Sequence, residues 1–169
     1  MTTMTESSTE GCPRKFQIDY SRWRCGGRSS CKDKALGLWE TQLRNPTAAS
    51  LGDPHHMCCL GLMFEASGAS RMLLDDNANP ADVRKACDEL PGLAAEMPES
   101  FHALLQLLTY TSVPDPSDQF GRTRRLEEIA MEINDEMDTL IEVKMQRLIA
   151  LFAQVGVELE FVNVPDEYL

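Results

Sequence analysis

The chain has 169 residues, 43% of them hydrophobic and 25% charged, the balance of a globular domain large enough to bury a core. Its apolar runs are only a few residues long, which excludes a transmembrane helix, and Met1 to Glu10 lacks the apolar stretch of a secretory signal. The formal net charge of −11 is unevenly spread: residues 14–44 hold eight Lys/Arg against three Asp/Glu, and residues 45–169 hold eight against twenty-two. So acidic a body repels nucleic acid and anionic membranes and suits a basic protein partner.

In chain order, residues 1–13 read as a flexible or extended lead and residues 14–169 as a single domain. Phe16, Ile18 and Tyr20 alternate with Gln17, Asp19 and Ser21, so residues 15–23 are predicted as a half-buried strand. A Gly/Ser-rich loop follows Cys25. A helix over Lys34 to Arg44 is then predicted from the stripe Leu36, Trp39, Leu43, with Asp33 as its cap.

Gly52-Asp53-Pro54 is a turn, and Cys58 to Ser67 reads as an apolar helix closed by Gly68. Asn79-Pro80 starts another helix, which Pro91-Gly92 stops. Glu99 to Leu108 is a further helix, buried through Phe101, Leu104, Leu105 and Leu108. Residues 113–121 form a surface loop. The longest helical stripe runs from Leu126 through Ile129, Ile133, Met137, Leu140, Leu148 and Phe152, and predicts one long helix over 122–155.

Val157, Leu159 and Phe161 then alternate with Glu158 and Glu160 as a second strand. A lone strand is an unprotected edge, so the two are expected to pair. The predicted class is α+β and mainly α, with several short helices, one long C-terminal helix and a small sheet joining the two ends.

The densest chemistry lies at His55-His56-Met57-Cys58-Cys59. One reading is zinc held by Cys25, Cys31, His55 and Cys58. Against it, Cys25 and Cys31 are spaced wider than a usual zinc knuckle, and adjacent thiols diverge by about 100° on a helix. A second is a thiol nucleophile at a helix N-terminus, Cys58 or Cys59, with His55, His56 or His102 as base. The third is packing: two small residues buried at the start of a helix.

Arg22-Trp23-Arg24 with Arg28, Lys32 and Lys34 interleaves basic and aromatic residues as single-strand binders do, but the acidic remainder opposes such affinity. On the long helix, Glu128, Glu132, Asp135 and Glu136 are candidates for contact with a basic partner, against the plainer reading of a solvated face.

Trp39, Leu43-Arg44 and the run Cys58-Cys59-Leu60-Gly61-Leu62, followed by Leu126-Glu127-Glu128-Ile129-Ala130, resemble a family of small uncharacterised proteins of tailed phages and bacteria. The resemblance covers roughly residues 35–135. Asn45-Pro46-Thr47 stands where that family often has Gly-x-Tyr-x-Gln. It implies phage or prophage origin and no agreed activity.

The resulting expectation is a phage-encoded, non-enzymatic protein that acts by protein–protein contact, as a virion component or a host-factor-binding accessory, in the host cytoplasm or the virion. A homo-oligomer is compatible with it. The alternative is a small zinc- or thiol-dependent enzyme centred on residues 55–59.

Overall fold

The computed structural model describes residues 11–23, 57–75, 77, 79–136 and 139–169. Strand β1 (Lys15–Asp19) pairs with β4 (Glu158–Val162). Between them come α1 (Cys59–Ala66), α2 (Arg71–Asp75), α3 (Pro80–Glu89), α4 (Pro91–Glu96), α5 (Glu99–Tyr110), the hairpin β2 (Ser112–Pro114) and β3 (Thr123–Arg125), α6 (Leu126–Asp135) and α7 (Ile141–Ala153). A 3₁₀ turn, Asp166–Tyr168, lies near the end. The class is α+β and mainly α.

The pairing of the two terminal strands follows from their alternation. They run parallel, with Phe16 opposite Leu159 and Ile18 opposite Phe161. Phe16, Ile18 and Leu159 are buried, while Lys15 on the opposite face bridges Glu158 and Glu160, each at 3.0 Å. A parallel pair needs a long crossover, and here the rest of the chain supplies it.

Helix α1 is apolar on nearly every side, and Cys59 through Phe64 are all buried. Phe64 packs against Phe101 of α5 with the rings tilted and their centroids 5.7 Å apart. The helix ends at Gly68, whose φ of +89° suits a residue without a side chain. A Cβ there would also lie 2.5 Å from the Pro98 ring. Helix α3 opens as its sequence dictates: the Asn79 side chain accepts the Asp82 N–H at 2.9 Å, and Pro80 takes the first helical position.

The expected stop at Pro91-Gly92 is also a start, because Pro91 opens α4. Proline lacks only an N–H that a first turn leaves unused. The five-residue α2 and the β2–β3 hairpin were not legible in the sequence. Each is too short to carry a periodic signal.

The predicted single long helix over 122–155 is corrected. Its start is strand β3, paired antiparallel with β2, and the Leu126 N–H donates to Thr111 O at 2.8 Å. The remainder is two helices, α6 and α7. One straight helix would bury a single narrow stripe along its length. Two shorter ones bring Ile129 and Ile133 of α6 and Met145, Leu148 and Phe152 of α7 into the same core. Lys144, itself buried, ties α7 to the end of α6: its Nζ donates to the Asn134 carbonyl at 3.2 Å. The predicted helix over 34–44 and the turn at 52–54 lie outside the described residues.

Candidate functional site

The Cys58-Cys59 pair is built into the start of α1. Cys58 caps the helix, its Sγ accepting the Gly61 N–H at 3.4 Å, and it is 4% exposed. Burial pushes its thiol up to about 12, and the Asp135 charge adds to that. A thiol held this way stays protonated at neutral pH, and the helix N-terminus does not make it a nucleophile. Cys59 is fully buried, and its backbone N–H donates to Asn134 Oδ1 at 3.3 Å.

Asn134 is the hub of this region. The same Oδ1 accepts the indole N–H of Trp23 at 2.8 Å, while Nδ2 donates to Asp135 at 2.9 Å. Trp23 also makes an isolated parallel bridge with Met57 and packs on Phe161 at 4.9 Å. One buried amide therefore ties Trp23, just after β1, to the start of α1 and the end of α6. Sequence reasoning missed it because an Asn inside an acidic helical run gives no sign that it faces inward.

The other candidates separate. Cys25, Cys31, His55 and His56 lie outside the described residues, so of the zinc set only Cys58 is placed. Among the described residues, no group of three or more His, Cys, Asp or Glu side chains is arranged to hold a metal ion. His102 is exposed, with Nε2 2.8 Å from Ala94 O.

The four acidic candidates each have a partner. Glu128 meets Arg125 Nε at 3.2 Å, and Glu132 meets Arg124 at 2.8 Å. Asp135 accepts from Asn134, and Glu136 pairs with Arg147. They contribute to the negative field of the molecule without forming one free carboxylate face.

No protein-family model, curated protein or solved structure matches the chain.

The exposed feature with the most defined geometry is the loop from Asp115 to Arg122, between β2 and β3. Asp115 Oδ1 accepts the Ser117 N–H at 2.9 Å and the Ser117 hydroxyl at 2.6 Å, and Oδ2 accepts from Arg124 at 2.9 Å. Asp118 accepts the Phe120 N–H at 2.9 Å, the Arg122 N–H at 3.2 Å and the Arg122 Nε–H at 2.5 Å.

Those bonds hold both aspartates below the ordinary carboxylate value, led by Ser117 for Asp115 and by Arg122 for Asp118. Backbone bonds from Asp115 N to Arg122 O at 2.9 Å and from Gly121 N to Asp118 O at 2.9 Å close the loop. Phe120 stands 76% exposed on it, beside an open groove of about 580 Å³ lined by Asp118, Gln119, Phe120 and Arg122 among others. The sequence read this stretch as a surface loop, and the pattern Asp-Pro-Ser-Asp was the available sign of its rigidity.

Proposed function

We propose that the protein is a phage-encoded, non-enzymatic interaction protein that engages its partner through the Asp115–Arg122 loop. The observation that carries this reading is Phe120, an aromatic side chain held in water by a hydrogen-bonded loop. An exposed aromatic costs hydration free energy in the free protein, and its burial at an interface recovers it. Because Asp115 and Asp118 fix the loop beforehand, little ordering entropy remains to be lost on docking.

Charge supports the same reading. The excess of acidic residues beyond residue 45 attracts a basic partner at long range, although Glu128, Glu132, Asp135 and Glu136 are engaged within the chain. The resemblance carried by Trp39, Leu43-Arg44 and Cys58 to Leu62 supports a phage origin. It puts the partner in the host cytoplasm or the virion.

A photo-crosslinking residue at position 120 tests the reading. It is expected to capture one defined host or virion protein, and the same probe at exposed Lys85 is expected to capture none. Equal capture at both positions, or none at 120, contradicts the proposal.

A further inference from the structure

Helix α7 buries one face, through Met145, Leu148 and Phe152, and exposes the other. The exposed face is not the charged one expected of a helix in so acidic a chain. Val143, Gln146, Ala150 and Ala153 are all exposed and none is charged. Their spacing of three, four and three residues is the a/d seam of a coiled coil. Leu140, 66% exposed, and Ile149, 39% exposed, extend the apolar cover on its flanks. Among the described residues of α7, the charged ones that border the seam are Glu142, partly exposed, and Arg147, which pairs with Glu136.

We propose that this face is the interface between two copies of the chain, packed with their α7 helices parallel. Charge complementarity selects both the occupant and its direction. In a parallel pair, a residue on one flank of the seam meets the residue five positions on in the partner. Glu142 and Arg147 are five apart, so each copy's Glu142 faces the other's Arg147, and both pairs form at once. In an antiparallel pair the same flanks meet, which brings Arg147 against Arg147.

The small Ala150 and Ala153 let the two helices approach closely. Gln146 is a polar residue at a seam position, of the kind that fixes register. The 13-residue helix is about 20 Å long at 1.5 Å per residue and offers two heptads. A single helix face of that length covers well under the ~800 Å² per partner of a stable interface, so the association is weak and concentration-dependent. It uses none of the loop residues of the proposed function and goes beyond that reading.

Sedimentation velocity of the full chain from about 1 µM to about 1 mM, a span set by weak affinities, tests it. The chain is expected to pass from monomer to dimer across that range. Ala150→Glu, which places a charge in the seam of an exposed face, should leave it monomeric with an unchanged circular dichroism spectrum.

Glu142→Arg and Arg147→Glu should each weaken the dimer at least about fivefold, and the double swap should restore it. The Glu136 pair is lost in Arg147→Glu and in the double swap alike, so rescue reports only the contact between copies. A monomer at the highest concentration overturns the proposal, as does a dimer indifferent to Ala150→Glu. A dimer lost with Ala150→Glu but blind to the charge swaps overturns the parallel register. Exclusion of a Val143→Cys thiol from labelling in a monomeric sample also overturns it, since the chain then covers this face itself.

Discussion

Cys58 and Glu127 show how burial sets the chemistry of single residues. Cys58 caps α1 from within the core, and its thiol is pushed up to about 12. Alkylation of Cys58 at pH 8 is therefore expected to be at least about a hundredfold slower in the folded protein than in urea, as thiolate fraction falls tenfold for each unit of pKa. Peptide mapping after timed labelling measures this; equal rates folded and unfolded would contradict it.

Glu127 is the opposite kind of case, an acid buried without full compensation. It is 4% exposed, Oε2 has no hydrogen-bond partner, and Oε1 lies 3.5 Å from Arg125. The Ala81 N–H from the first turn of α3 and the Arg125 charge favour ionisation, while Glu128 and Asp82 oppose it. Burial dominates and raises the group above its ordinary value of 4.5.

The sign follows from linkage: the folded chain holds this proton more tightly than the unfolded one. Its stabilising contribution is complete below the ordinary value and is lost as pH rises through the raised one. Glu127→Gln removes the charge and keeps an acceptor for Ala81. It is expected to stabilise the protein by about 1 kcal/mol at pH 7, the scale of an unsatisfied buried polar group, and by less near pH 4. Urea melts at the two pH values give the comparison, and an equal effect at both would show that ionisation of Glu127 is not what costs stability.

At the scale of elements, the division of the chain between α6 and α7 is the most informative difference between sequence and structure. Ile133 and Ile141 keep a common helical register, so periodicity runs straight through the break. At the end of α6 the Asn134 side chain serves Trp23 and Cys59, and the Lys144 ammonium sits on its carbonyl. Those are long-range contacts, and no local pattern encodes them.

Where the determinants are local, the elements were legible. Asn79-Pro80 starts α3, Gly68 closes α1, and the buried positions Phe101, Leu104, Leu105 and Leu108 of α5 are those its stripe indicated. The candidate site divides the same way. Asp-Pro-Ser-Asp announced a loop, but the outward placement of Phe120 depends on a hairpin of three-residue strands. Asn134→Ala removes the acceptor shared by the buried Trp23 indole N–H and the Cys59 backbone N–H. It is expected to cost about 2–4 kcal/mol, one to two unsatisfied buried groups. Chemical denaturation measures it, and a loss below about 0.5 kcal/mol would mean that Asn134 does not hold these elements together.

For the whole molecule, β1 and β4 meet in one parallel strand pair, and the core between them buries Cys58 and Cys59, the reactive-looking residues that the described structure places. The sheet was legible because each end carries a clean alternation that needs a partner. Its parallel direction was not, since direction depends on where the crossover leaves the chain. With Cys58 and Cys59 in the core, the described surface carries an aromatic held out on a fixed loop and an uncharged face on α7. On the proposed reading both serve contact with other proteins, in line with the acidic composition.

The most direct test is the affinity of the partner captured at position 120 for the folded wild-type chain and for Phe120→Ala. Phe120 is exposed, so its truncation should leave the thermal melt unchanged. The loop account predicts that affinity falls about thirtyfold, the scale of an aromatic hot spot of ~2 kcal/mol. Affinity within twofold of wild type, with the melt unchanged, would contradict it.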